Sequence, residues 1–285
     1  MIDFDFHTHT YPQSSCASQS IGELIDRYSA EGIKVLAICN HDTVDGLTEA
    51  REKCEKAGIE LVNGVELTCD IKDESSSLNG TIIHILGYGI DNNAGLFNSY
   101  ADTVKRNNEE RVLKICDYLR KKGYAIEDCT DLYDLWPQLV EKNGYPDLLS
   151  AKIYLYSDEI ESRFPTMRLS HKEGIELIHK LNGLAVWAHP KRVWLHEPLT
   201  LPELSGAVDL LKGCSLDGIE VFYPAHFKEK GYVRELLNIA ESKNMIVTLG
   251  SDCHHLRDDF FPRNRDLNEF DYNFEEIKYF WKLHK

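Results

Sequence analysis

Residues 2–9, Ile2-Asp3-Phe4-Asp5-Phe6-His7-Thr8-His9, form a short apolar run that stops on two histidines. The run reads as a β-strand, Ile2 to Phe6, with an H-x-H pair where it ends. The chain that follows sets the architecture around it. Ser20 with Glu23 makes a capping box, and Ile21, Leu24, Ile25 and Tyr28 then fall on one helical face. Val35 to Ile38 is a second strand, and Leu47, Ala50, Cys54 and Ala57 mark a helix stopped by Gly58. Strands at Ile59 to Val62 and Thr81 to Leu86 come next. The rhythm then changes. Residues 91–170 hold a long helix through Val112, Ile115, Cys116 and Leu119, closed by Gly123, and then aromatic, mostly helical sequence. Alternation resumes at a second capping box, Ser170 and Glu173, with a helix through Ile175, Ile178 and Leu181. Strands at Leu184 to Ala188, Gly218 to Phe222 and Met245 to Leu249 follow, separated by helices over Leu204 to Leu211 and Val233 to Ala240. The aromatic stretch Phe274 to Trp281 is expected to pack as a terminal helix.

About seven strand–helix units of this kind predict a parallel, barrel-like α/β sheet. Residues 1–90 and 171–285 would build it, with 91–170 as a helical insertion expected to cap the substrate. A chain of 285 residues and 32.7 kDa suits one or two domains, and 42% hydrophobic residues can fill a sizeable core. The net charge of −15 excludes the broad basic surface that tracks a long nucleic acid. An anionic substrate is admissible only if a local feature such as a metal cluster supplies positive charge. No apolar run approaches the roughly 18 residues of a membrane span, and Met1-Ile2-Asp3-Phe4-Asp5 does not read as a signal peptide. Eight cysteines without a C-x-x-C pair are expected to be reduced, which suits a cytoplasmic protein.

Six of the twelve histidines fall in or just after predicted strands: His7, His9, His41, His84, His189 and His254. Glu66 lies just past another. Any one of them reads most simply as a satisfied polar residue. Together they matter, because the C-terminal ends of parallel barrel strands share one face, and imidazoles with carboxylates there are what Zn²⁺, Mn²⁺ or Fe²⁺ requires.

Seven segments in order carry a resemblance: Asp5-Phe6-His7-Thr8-His9, Asn40-His41-Asp42, Gly64-Val65-Glu66, His84-Ile85-Leu86-Gly87-Tyr88-Gly89-Ile90, Ala188-His189-Pro190, Gly218-Ile219-Glu220-Val221 and Gly250-Ser251-Asp252-Cys253-His254. The chain resembles the PHP superfamily, the polymerase and histidinol phosphatase metal-dependent phosphoesterases, over nearly its whole length. The resemblance implies a distorted (β/α)7, TIM-like barrel holding two or three divalent ions (Mn, Zn or Fe). It implies that His7, His9, Glu66 and Asp252 hold a first ion, that Glu66 bridges to a second completed by His84 and His189, and that His41 and His254 hold a third. The sequence departs from the pattern after the H-x-H motif, where Tyr11-Pro12-Gln13-Ser14-Ser15-Cys16-Ala17-Ser18 has neither Asp nor His. Cys16 could be a thiolate ligand there, but a weakly held third ion is the favoured expectation.

Such a centre would activate a bridging water and bind phosphoryl oxygens, with Glu66 holding the ions together. His226, in Tyr223-Pro224-Ala225-His226, is a candidate general acid, and a surface histidine on the plainer reading. Lys191, Arg192 and Arg111 are candidate substrate contacts; solvated surface charge is the simpler account of each. The resemblance is to stand-alone phosphoesterases of nucleotides and RNA ends, so the expected substrate is a nucleoside 3′,5′-bisphosphate or a short oligoribonucleotide. Asp147-Leu148-Leu149-Ser150-Ala151-Lys152 departs from that group where arginine would be expected. Three alternatives stay open: a histidinol-phosphate phosphatase, a metal-dependent amidase or deacetylase, and a non-catalytic nucleotide- or partner-binding barrel with a degenerate metal site.

Overall fold

The computed structural model describes residues 2–91, 94–190, 199–229, 231–255 and 272–283. Strand β1 (Phe4–Thr8) leads into α1 (Ile21–Ala30), where the Ser20–Glu23 capping box forms in both directions and Ile21, Leu24, Ile25 and Tyr28 face the core. Strand β2 (Val35–Ile38), α2 (Leu47–Ala57), β3 (Glu60–Asp70) and β4 (Ile82–Tyr88) follow. Next come α3 (Ala94–Lys121), α4 (Leu132–Asn143), α5 (Leu148–Leu155) and the single turn α6 (Asp158–Glu161). The chain continues with β5 (Leu169–Ser170), α7 (His171–Lys180), β6 (Leu184–Trp187) and α8 (Leu201–Gly213). It closes with β7 (Gly218–Phe222), α9 (Tyr232–Ser242), β8 (Ile246–Leu249) and α10 (Phe274–Leu283). No helix among the described residues is long and apolar enough to cross a membrane.

The sheet runs β1-β2-β3-β4-β6-β7-β8, with the short β5 pairing β3. One expectation needs correction: the sheet is not uniformly parallel. β4 runs antiparallel to both β3 and β6, whereas β1, β2 and β3 are mutually parallel, as are β6, β7 and β8. The cause is the connection. β3 extends to Asp70 instead of stopping at Val62, so only residues 71–81 remain before β4, with no helix among them. That is too short for a crossover, and the chain returns beside itself. The result is a mixed α/β fold with a curled half-barrel sheet.

The sheet's two ends meet. Thr8 bridges Cys253, His9 N donates to Cys253 O at 3.0 Å, and Asp252 N donates to His7 O at 2.8 Å. The segments following β1 and β8 are thereby stitched side by side. Phe6 packs edge-on against Phe280 at 5.2 Å and Tyr88 at 6.0 Å, so α10 packs against the sheet, as the terminal aromatic pattern predicts.

The chain divides into two compact units, Met1–Phe97 with Leu169–Lys285, and Asn98–Arg168. The second is helical and has its own core, in which Val112, Ile115, Cys116 and Leu119 pack with Leu135, Trp136, Leu139, Ala151, Leu155 and Ile160. Asp131 and Asp147 cap α4 and α5 through their side chains, as short acids do at helix N-termini.

Candidate metal centre

Glu66 stands at the middle of a group of imidazoles. It is fully buried in β3. Its Oε2 lies 3.1 Å from His7 Nε2, 3.2 Å from His9 Nε2 and 3.3 Å from His41 Nδ1. Its Oε1 lies 2.8 Å from His84 Nδ1 and 3.0 Å from His189 Nε2. Asp252 adds a second carboxylate, with Oδ1 3.1 Å from His9 Nε2 and 3.5 Å from His7 Nε2. His254 Nδ1 lies 3.4 Å from the same oxygen, although its hydrogen bond, at 2.7 Å, goes to the Asp252 carbonyl.

The fold explains how distant residues converge. His7 and His9 are two apart at the end of β1, so the strand's alternation puts both on one face. His41 follows β2, and its backbone bridges that of Glu66. Because β4 runs backwards, a residue reaching this end of the sheet must lie early in it. His84 does, opposite Thr68 and two positions from the Glu66–Leu86 pair. His189 follows β6 and Asp252 follows β8, and both adopt positive φ, +30° and +55°. Such backbone costs about 1–3 kcal/mol per residue and persists only where the surroundings enforce it.

Two buried acids provide that enforcement. Glu220 on β7 accepts from His7 Nδ1 through Oε1 at 2.9 Å and from the His189 backbone N–H through Oε2 at 2.8 Å. With its Nδ1 proton held by Glu220, His7 presents the Nε2 lone pair to the centre. Gly250 is what lets the two approach, since a Cβ there would collide with His7 Cβ and Glu220 Oε1. Asp5 accepts from His7 N and Ser251 N through Oδ1, and from Tyr28 OH at 2.7 Å and Ser251 Oγ at 2.6 Å through Oδ2. It ties β1 to the loop carrying Asp252. Tyr223 OH donates to Asp252 Oδ2 at 3.3 Å.

The electrostatics are those of a coupled acid–imidazole cluster. Burial alone would raise the Glu66 carboxyl, but His41, His7 and His84 hold it well below the usual range. Asp252 is likewise lowered against its burial by His7, by the hydrogen bond from His9 and by His254. Burial opposes a charge on His7, yet Glu220, Glu66 and Asp252 outweigh it and push that imidazole well above its ordinary value. His9 is raised against burial by Asp252 and Glu66. His41 is pushed well below its ordinary value by burial, and His254 is lowered to about 4 chiefly by burial and then by His9.

The donor set fits divalent cations. His41 Nδ1 and His84 Nδ1 lie close to Glu66 but are not aligned to hydrogen-bond with it, and both atoms are buried with no hydrogen-bond partner among the described residues. Leaving such nitrogens unpaired costs free energy unless something else engages them. Among the described residues, three donor groups meet the spacing of a cation site: His7, His9, Glu66 and Asp252; His41, Glu66 and His84; and His9, Cys16, His41 and His254. Carboxylates flanked by neutral imidazoles are the ligands that Zn²⁺, Mn²⁺ and Fe²⁺ accept.

Lys191 and Arg192 fall outside the described residues. Arg111 is buried within the helical unit, where its guanidinium donates to Phe164 O and Glu161 Oε1, both at 2.6 Å. His226 is fully buried rather than a surface histidine; its Nδ1 bonds to Val221 O at 2.8 Å, and its ring packs against Tyr223 and Tyr232. Glu220, Asp5 and Tyr223 were given no role by the sequence reading. The signal for the two acids was present: a carboxylate inside an otherwise apolar strand, in Phe4-Asp5-Phe6 and Ile219-Glu220-Val221, is expensive to bury without a task.

Residues 5–121 match the PHP domain family. A 5′-3′ exoribonuclease of Haemophilus influenzae is 29% identical over 198 residues, covering 66% of this chain and 69% of its own length. A phosphoribosyl 1,2-cyclic phosphate 1,2-diphosphodiesterase of Eggerthella lenta is 26% identical over 265 residues, 88% of this chain and 93% of that one. A 3′,5′-nucleoside bisphosphate phosphatase of Chromobacterium violaceum is 24% identical over 272 residues, 89% and 88% of the two chains. Among solved structures, an amidohydrolase from Chromobacterium violaceum, holding sulfate and no metal, superposes with a TM-score of 0.71 at 21% identity over 92% of each chain. A PHP domain match thus spans residues 5–121, and over most of its length the chain is similar to phosphate-ester-cleaving enzymes. The three curated relatives differ in substrate, but each name describes the breaking of a phosphate ester bond.

Proposed function

We propose that this chain is a metal-dependent hydrolase of a phosphate monoester, or of a phosphodiester at an RNA end, acting on a nucleoside 3′,5′-bisphosphate or a short oligoribonucleotide. One observation carries the reading: five imidazoles surround the buried Glu66 carboxylate, and two of them keep unpaired nitrogens close to it. His7, His9, Glu66 and Asp252 would hold one cation, and Glu66 with His84 and His189 a second. Bound there, divalent cations lower the pKa of a coordinated water from 15.7 towards about 7 and neutralise phosphoryl charge.

The protein's own groups do the positioning. Glu66 has one oxygen towards each donor set, so its negative charge would offset repulsion between cations held there. Glu220 fixes the tautomer of His7, and Tyr223 restrains the Asp252 oxygen that faces away from His9. The bisphosphate phosphatase and the exoribonuclease act on nucleotides by their names, which supports a nucleotide substrate here. The net charge of −15 favours a small one, because each phosphate contact of a long nucleic acid usually enlists Lys or Arg.

A phosphate-release screen over nucleoside bisphosphates, short 5′-phosphorylated oligoribonucleotides and histidinol phosphate, with and without chelator, tests the proposal. Release from a nucleotide that stops with chelator and returns with Mn²⁺, Zn²⁺ or Fe²⁺ is the expected result. Turnover of histidinol phosphate alone would reassign the substrate, and cleavage of amides without any phosphate release would overturn the reaction class.

A further inference from the structure

The corner of the centre formed by His9, His41 and His254 differs chemically from the rest. The third ligand atom group there is completed by Cys16, whose sulfur lies within 4.8 Å of a ring nitrogen of each histidine, and the group contains no carboxylate. The rings themselves are packed together, His9 against His254 at 4.3 Å and against His41 at 4.7 Å between centroids. His9 also belongs to the group with His7, Glu66 and Asp252, so Cys16, His41 and His254 are the donors that this corner does not share with that group.

The loop bearing Cys16 is fastened to all three histidine segments. Ser18 N donates to the His254 carbonyl at 2.9 Å, and the His41 N–H donates to Ser14 Oγ at 2.8 Å. Gln19 Nε2 donates to His9 O at 2.8 Å and to Cys253 O at 3.2 Å, and Thr10 N donates to Asn40 Oδ1 at 2.8 Å. Cys16 is in no disulfide and is only partly exposed. These ties hold the sulfur over the histidines through backbone that none of the three could leave without breaking the loop.

Building on the metal-dependent reading above, we infer that Cys16, His41 and His254 form a thiolate–imidazole cation position that selects Zn²⁺, Co²⁺ or Fe²⁺ over Mn²⁺ and Mg²⁺. Thiolate is a soft donor that favours the later and more polarisable ions, whereas carboxylate and water suit Mg²⁺ and Mn²⁺. Two imidazoles and one thiolate leave a fourth, open position, the arrangement zinc enzymes keep for water or substrate. The centre then has two characters: a carboxylate-rich part around Glu66 and Asp252 that accepts several divalent ions, and a sulfur-containing corner that does not. This replaces the expectation of a weakly held third ion with one of a selectively held ion.

The test is stepwise Co²⁺ loading of the metal-free full chain, followed by absorption and metal analysis. A thiolate-to-cobalt charge-transfer band in the near ultraviolet is expected in the wild type. Cys16→Ser should lose the band and about one ion per chain, while Cys253→Ser, removing the nearby thiol outside the group, should keep both. Cys16→Asp should restore the stoichiometry without the band and shift the Zn²⁺-over-Mn²⁺ preference of that ion down by roughly tenfold or more. A fully cobalt-loaded wild type with no charge-transfer band, or a Cys16→Ser protein with unchanged metal content and spectrum, would overturn the inference. The parent reading fails separately: phosphate release abolished by chelator in a protein lacking the band sinks only the thiolate position, and a band in a protein that cleaves no phosphate ester sinks only the substrate reading.

Discussion

The two compact units handle charge in opposite ways. In the unit built on the sheet, Asp5, His7, His9, Glu66 and Glu220 are all fully buried, bonded mainly to one another and to nearby backbone. In the helical unit the core is apolar, and charges pair at its surface: Arg120 with Asp117 and Asp128, Lys122 with Glu159, Lys142 with Glu127. Arg111 is its buried exception and is neutralised by Glu161. The helical unit obeys the ordinary rules of folding, and the sheet unit breaks them around a single carboxylate. Departures from local folding rules concentrate where function is built, so the contrast supports the proposed placement of the chemistry around Glu66.

The largest effect that would break the contrast is Glu66→Gln. The substitution keeps the shape and removes the charge that faces five imidazoles, so turnover should fall by about 10³-fold or more and metal content should drop, with the far-ultraviolet spectrum retained. Turnover close to wild type, measured by phosphate release, would mean that the carboxylate joins nothing. The helical unit should respond in the other currency. Leu139 is fully buried among apolar neighbours, and Leu139→Ala should cost about 2–5 kcal/mol of stability in denaturant titration. Metal bound per folded chain should be unchanged.

Glu220→Gln sharpens the comparison within the sheet unit. Its side chain fills the same space but no longer accepts as an anion from His7 and the His189 backbone, so cation affinity or turnover should fall about 10–100-fold. Isothermal titration with Zn²⁺ would measure it, and an unchanged affinity would reduce Glu220 to a buried spectator.

How much of this was legible follows the same division. Periodicity and capping boxes located most strands and helices, because α1 and α7 each announce themselves by a Ser–x–x–Glu start and an apolar face. Seven of the eight proposed ligands, the six histidines and Glu66, could be picked out as polar residues in or just after predicted strands, Asp252 came only with the family resemblance, and the structure brings all eight together. The reversal of β4 was hidden by Asn63-Gly64, which reads as a strand end, while in the fold β3 continues through it to Asp70. Gly64 is required there, since a Cβ would press on Cys39 Sγ at 2.5 Å and Ile38 O at 2.7 Å. Glu220 and Asp5 were missed for a different reason. Their partners are backbone N–H groups and a histidine brought from elsewhere in the sheet, and pairings of that kind exist only once the strands are side by side.

The smallest effect concerns protons. His7 and His9 are raised above the ordinary 6.5 by Glu220, Glu66 and Asp252, against their burial, whereas His41 and His254 are depressed, His254 to about 4. In the metal-free protein the first pair therefore keeps to higher pH than an ordinary imidazole the protons that a cation has to displace, and the second pair gives its protons up at lower pH. Cation binding should release protons, and affinity should strengthen as pH rises through neutrality. Stability of the metal-free chain runs the other way. A histidine whose folded pKa is raised contributes fully below about 6.5 and loses that contribution as pH climbs through the folded value, so the metal-free midpoint should fall as pH rises over the interval that begins at about pH 6.5. Thermal melts with and without Zn²⁺ should diverge over that interval, the gap widening with pH. A gap that narrows instead would mean that His7 and His9 are neutral in the free protein, and that the acids around them repel no less charge than they hold.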